Sequence, residues 1–298
     1  MARLCRRSDL KLPLLLDTGS TRGLNIAMRP NLQLTDEIPL FESIEGTGPL
    51  VIAAPHVGTH LPADIAAKLN ATGRAVNETD FHVHRLYDFA KDVGASTLFA
   101  THSRYVVDLN RDPEGSHLYP GRFETAMCPT TDFDRHPIYD GDGPDAAETE
   151  RRRILYWQPY HDRLRALLDQ AVARHGHALL IDAHSIRPSI PDLFEGRLPD
   201  LNFGLNDGLS AASKLRDVIA AWSAGQSANT TVIDGRFKGG FTTRHYGQPA
   251  QGIHAIQIEI VQDCYLNMEA PHLYDAGLAA PLSHRLSTLV EALIRALP

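Results

Sequence analysis

An α/β fold, one domain with a mixed and mostly parallel sheet flanked by helices, is predicted by three observations. From residue 50 onward short apolar runs alternate with stretches whose apolar residues recur at helical spacing. The runs are continuous in Val, Ile, Leu and Ala rather than alternating, as in strands buried on both faces. No internal repeat and no linker composition divides the chain, and 43% hydrophobic residues in 298 suffice for a large core.

The elements follow in order. Leu-Val-Ile-Ala-Ala at 50–54 predicts a buried strand, and 63–70 and 80–93 predict helices, the second opening on Asp80. Strands are expected at 96–100 and 105–109, the latter setting Arg104, Asn110 and Arg111 around one spot as an anion trap. Residues 112–145, with several Pro, Gly, Asp and His, predict an ordered excursion over the mouth of a site. A long helix at 146–174, strands at 178–182, 230–233 and 255–260, and helices at 208–221 and 278–297 complete the domain. Residues 1–30 carry Arg3, Arg6 and Arg7 before an apolar run at 12–16, which Pro13 interrupts and which is too short for a signal core or membrane span. They predict a weakly ordered extension to a single domain over 31–298.

Net charge −7 argues against nucleic acid as the main partner, because phosphate binding favours a basic balance. A small molecule is the expected ligand, with no membrane partner. Cys5, Cys128 and Cys264 are widely separated, which excludes a thiolate zinc motif and a disulfide framework and fits a reducing cytoplasm.

His56 and His184 each follow an apolar strand, and the carboxyl ends of strands are where open α/β sheets bind ligands. Each alone also fits a buried histidine bonded to a carbonyl; together they suggest a metal. Imidazole and carboxylate suit zinc, and a catalytic zinc takes three protein ligands, so a third is needed. Asp80, in the first turn of its expected helix, is one candidate and equally a helix cap; Glu78, His60 and His82 are others. On the last strand the two-residue period puts Gln257 and Glu259 on one face. A carboxylate in so apolar a strand is either a general base whose pKa burial raises or half of a structural ion pair. The glycine-containing loop 238–247 lacks phosphate-loop spacing, and its Arg244 and His245 form a candidate substrate clamp, although Arg244 alone would pass for a surface residue.

Five segments in this order resemble the N-formylglutamate amidohydrolase family: Pro-His-Val-Gly-Thr-His-Leu-Pro at 55–62, Ser-Arg-Tyr-Val-Val-Asp-Leu-Asn-Arg-Asp-Pro at 103–113, Asp-Ala-His-Ser-Ile at 182–186, Lys-Gly-Gly-Phe-Thr-Thr-Arg-His-Tyr-Gly at 238–247 and Gln-Ile-Glu-Ile at 257–260. The resemblance implies a zinc-carboxypeptidase-like fold (phosphorylase/hydrolase-like), also similar to aspartoacylase, and a metal-dependent deformylase of histidine breakdown. It makes His56 and His184 ligands of one divalent metal ion, Zn2+, and Glu259 the general base. Arg104 becomes a carbonyl-polarising group, and Asn110 with Arg111 a carboxylate clamp for a dicarboxylate substrate. The chain departs from zinc carboxypeptidases at Thr59, where they carry a glutamate three residues after the first histidine, and Asp80 is therefore the expected carboxylate ligand. The same site could serve another N-acyl amino acid or a peptide, or, with its metal lost, only bind anionic metabolites.

Overall fold

A computed structural model of the chain describes residues 38–118 and 121–297. The expected extension over 1–30 lies outside the described residues.

Among the described residues seven strands form one sheet in the order β1-β3-β2-β4-β7-β5-β6: β1 (Phe41–Ile44), β2 (Leu50–Ala54), β3 (Ser96–Ala100), β4 (Ala178–Ile186), β5 (Leu201–Gly204), β6 (Thr231–Ile233) and β7 (Ile253–Val261). β3, β2, β4 and β7 run parallel; β1 pairs antiparallel with β3, and β5 antiparallel with β7. The central strands β2, β4 and β7 are buried at every position, which explains their unbroken apolar runs. β1 and β5 had no counterpart in the sequence reading. β1 alternates half-buried with exposed residues at the sheet edge, where Glu42 discourages further pairing.

The two faces divide by the period of two. Leu50, Ile52, Leu179, Ile181, Ile256 and Ile258 pack with Leu282, Leu286, Leu289 and Leu293 of the closing helix α7 (Ala276–Ala296). The opposite face carries Leu180, Asp182 and His184 on β4 and Ala255, Gln257 and Glu259 on β7. From β2 the chain passes to β3 on one side and later to β4 on the other. The ends of β2 and β4 therefore flank a switch in strand order, where such sheets leave a crevice.

The helices differ from expectation in detail. The 63–70 helix is confined to α1 (Ala63–Ala66), and Asn70 caps a second short helix, α2 (Ala71–Arg74). The expected helix at 80–93 is a 3-10 helix over Val83–Lys91, so Asp80 precedes it rather than opening it. The long helix is α3 (Ala146–Arg152) running through a π turn into α4 (Gln158–His175). The next helix, α5 (Ser213–Ala224), starts later than 208 because Asn206, Asp207 and Gly208 all take positive φ. Residues 241–246, read as loop, form the short helix α6 (Phe241–Tyr246).

The segment 105–109 is not a strand. It turns, with Val106 N donating to Ser103 O and Arg111 N to Asp108 O. Its apolar residues signal burial, but its carbonyls find side chains instead of a neighbouring strand. Arg152 Nη1 donates to Tyr105 O and Val106 O (3.4 and 3.2 Å), Trp157 Nε1 to Arg111 O (3.1 Å) and His161 Nε2 to Leu109 O (2.8 Å). Burial pushes His161 down to about 3, so it stays neutral in this role.

Arg152 is fully buried and also reaches Glu148 and the Tyr139 hydroxyl. Arg152→Met should lower unfolding free energy by about 3–5 kcal/mol, the usual cost of removing one partner of a buried charged network. Denaturant unfolding measures it, and a loss under about 1 kcal/mol would show that the segment does not depend on these bonds.

Candidate active site

The end of β2 turns through Pro55 into His56, and Gly58 follows because a Cβ there would collide with the backbone of Thr101 and His102. Asp80 reaches the same place from an irregular segment fixed at three points. Asp80 N donates to His56 O (3.0 Å), Gln262 Nε2 to Thr79 O (3.0 Å) and the Tyr265 hydroxyl to Phe81 O (2.7 Å). His184 stands near the end of β4 in register with Glu259 of β7, as Asp182 does with Gln257.

His56, Asp80 and His184 converge. His184 Nδ1 lies 3.1 Å and His56 Nδ1 3.8 Å from Asp80 Oδ2. All three residues are buried, and their ligand atoms lie within 4.8 Å of one another. Each outer ring nitrogen meets a carboxylate: His56 Nε2 lies 2.8 Å from Asp108 Oδ1, and His184 Nε2 3.0 Å from Asp182 Oδ1. An Nε2–H donated outward leaves a lone pair on each Nδ1. Two nitrogen lone pairs and a carboxylate oxygen then face one another away from water, an arrangement that a cation relieves. The cluster could coordinate a divalent metal, and its donor set suits zinc.

The electrostatics agree. Burial, reinforced by Arg104, lowers the His56 pKa despite Asp108, which favours the neutral ligand form. Burial opposes a charge on His184 too, but Asp182 and Asp80 outweigh it and raise its pKa well above the ordinary range, so a proton competes for the cation's position. The alternative ligands stand elsewhere. Glu78 Oε1 accepts from Phe133 N (3.3 Å) and Arg187 Nη2 (3.4 Å), the His60 ring packs edge-on to His102, and His82 Nε2 meets His272 O.

Arg104 and Arg111 do cluster, but around Asp108. Arg104 Nη2 donates to Asp108 Oδ2 (2.7 Å), and Arg111 Nη2 lies 3.9 Å from the same oxygen. Burial would raise the Asp108 pKa; Arg104, Arg111 and His56 outweigh it and hold the carboxyl ionised. Arg111 also donates from Nε to Thr125 O (2.8 Å) and from Nη2 to Thr125 Oγ1 (3.1 Å). Asn110 Oδ1 accepts from Thr242 N (2.8 Å), and its Nδ2 lies 3.0 Å from His184 Nε2, whose N–H is directed to Asp182. Glu259 Oε2 accepts from Gln257 Nε2 (3.1 Å), and burial pushes its carboxyl up to about 8 against the pull of His184 and Arg104.

One cavity is lined by His56, Asp80, His184, Glu259, Arg104, Asn110 and Arg111 together. The 112–145 excursion adds Leu118, Phe123, Glu124, Thr125 and Phe133 to its wall. Arg244 and His245 do not line it. Arg244 Nε donates to Gly239 O (2.8 Å), and the His245 ring stacks on Phe241. The sequence reading passed over Asp108 and Asp182, although each lies two residues before a residue it selected, and over Arg236, which also lines the cavity and has no local motif.

Residues 48–266 match the family model described as N-formylglutamate amidohydrolase. The chain is 45% identical over 260 residues to the N-formylglutamate deformylase of Pseudomonas aeruginosa, covering 87% of this chain and 97% of that one. It is 41% identical over 251 residues to the N-formylglutamate deformylase of Pseudomonas putida, covering 84% and 94%. The crystal structure of N-formylglutamate amidohydrolase from Ralstonia eutropha JMP134 superposes with a TM-score of 0.74 at 26% identity, over 87% of this chain and 98% of that one. A match spanning most of the chain, with relatives this similar along nearly their whole length, means that the chain belongs to the N-formylglutamate amidohydrolase family.

Proposed function

We propose that the chain hydrolyses N-formyl-L-glutamate to formate and L-glutamate, using one divalent metal ion, zinc by the chemistry of its donors, held by His56, Asp80 and His184. The observation that carries this reading is the convergence of those ligand atoms in the same cavity as a buried carboxyl, Glu259. The names of the relatives supply the substrate. The position of the centre at a switch in strand order supports a zinc-carboxypeptidase-like fold, also called phosphorylase/hydrolase-like. Among the described residues no helix is long and apolar enough to cross a membrane.

When bound, the ion supplies Lewis acidity toward the formyl carbonyl and toward a water. Glu259 is the general base. A carboxyl raised toward neutrality can take a proton from the attacking water and return it to the departing amine nitrogen, so the C–N bond breaks as glutamate leaves with its amine protonated. Gln257 Nε2 holds one Glu259 oxygen, and Gln257 Oε1 accepts from Gly240 N (2.7 Å), which fixes the carboxyl in place. Arg104, aligned by Asp108, sets a positive charge in the cavity wall where the carbonyl oxygen gathers negative charge. Arg111 is the carboxylate-binding arginine, and Asn110 anchors its neighbour at the start of α6, where its Oδ1 accepts from Thr242 N.

Two outcomes follow. Asp108→Asn should weaken metal affinity by roughly 10–100-fold, because His56 loses the carboxylate that fixes its orientation; competition with a chromophoric chelator measures this, and unchanged affinity would contradict it. Glu259→Gln should retain the metal by elemental analysis while formate release falls by roughly 10²–10⁴-fold or more. Wild-type turnover in that variant would remove Glu259 from the mechanism.

A further inference from the structure

A substrate with two carboxylates needs two cationic partners, and the arginines selected from sequence do not supply both. Arg104 and Arg111 both stand beside one buried carboxylate of the protein, Asp108, at 2.7 and 3.9 Å. Arg244 is engaged at Gly239 O and lies outside the cavity wall. Arg236 lines the cavity from a different element, the turn after β6.

That turn is built to return the chain to the cavity. Asp234 takes a left-handed φ of 51°, its Oδ1 accepting from Leu205 N and its Oδ2 from Arg216 Nη1, both at 2.7 Å. Gly235 follows, where a Cβ would crowd the Val232 side chain at 2.9 Å. Arg236 Nε donates to Leu193 O (2.9 Å), and its guanidinium lies 5.0 Å from the centroid of the Phe237 ring. These two contacts restrain the plane of the guanidinium, which is the preorganisation that binding a planar anion requires. Phe133, Ile186, Leu193 and Phe237 line the same cavity, and apolar surroundings strengthen a charged hydrogen bond.

We infer that Arg236 is a specificity-determining residue that binds the side-chain carboxylate of the substrate, while Arg111 takes the α-carboxylate. The α-carboxylate neighbours the scissile amide, so we assign it to Arg111, which adjoins Asn110 of the His184 surroundings, and assign the side-chain carboxylate to Arg236, which enters the wall from a separate turn. The assignment rests on the N-formylglutamate reading above and names the residue that separates a dicarboxylate from its amide analogue.

Steady-state kinetics of formate release from N-formylglutamate and N-formylglutamine, for the wild type, Arg236→Gln and Arg236→Lys, test it. Arg236→Gln should raise KM for N-formylglutamate at least about tenfold with kcat within about threefold, and leave kcat/KM for N-formylglutamine within about threefold. Turnover of the glutamine compound also shows that the variant is folded. Arg236→Lys should recover part of the lost affinity, since it keeps the charge without the planar fork. A preference for N-formylglutamate that survives in Arg236→Gln, or an equal loss on both substrates, overturns the assignment alone. A wild type that processes both substrates equally overturns the dicarboxylate reading and this assignment with it.

Discussion

The Asp108 carboxylate is wholly buried, and both of its oxygens are engaged. Oδ1 meets His56 Nε2 and accepts from Asn110 N (2.9 Å), while Oδ2 accepts from Arg104. One anion thereby orients His56, the proposed metal ligand, shapes the turn that presents Arg111, and aligns Arg104, the arginine proposed to face the reacting carbonyl. Burying such a charge unpaired would cost several kcal/mol, so the guanidiniums that flank it are a condition of the fold as much as of the chemistry. Asp182 serves His184 in the same way, with Oδ1 at the ring and Oδ2 accepting from Thr243 Oγ1 (3.0 Å), which ties α6 to β4. The supporting carboxylates make the centre rigid before any ligand arrives, as a metal site needs in order to hold one geometry.

The structural cost of this network falls on the segment 103–111. It gives up strand pairing to bring Arg104, Asp108, Asn110 and Arg111 to one place, and Arg152, Trp157 and His161 satisfy its carbonyls from the helical layer. The helices that cover the sheet therefore also support the site. Gly240 adds a local constraint, because a Cβ there would strike the Asn110 side chain. Gly239 before it has a different cause, a φ of 114° that side chains rarely adopt.

Legibility in the sequence tracked how local each signal was. The strands at 50–54 and 96–100 were read correctly, and the centres of β4 and β7 were found, because burial on both faces writes an unbroken apolar run. β5 was missed because Leu-Asn-Phe-Gly carries a polar residue and a glycine, although Asn202 is fully buried and bonds Pro199 O. The 105–109 error has the opposite cause: a short apolar run such as Tyr-Val-Val reports burial and does not report whether a partner strand exists. His56, His184 and Glu259 were recognisable because each is a polar residue against an apolar strand. Asp108, Asp182 and Arg236 depend on contacts between distant segments, so their partners could not be read from local spacing.

The most direct test of the account is a metal titration of the stripped protein with formate release from N-formylglutamate as the readout. Bound metal would be measured in parallel by elemental analysis. The account predicts that chelation abolishes turnover and that zinc restores it in proportion to occupancy, reaching a plateau at one equivalent per chain. Full turnover by the metal-free protein, or a plateau unrelated to occupancy of a single site, would contradict it.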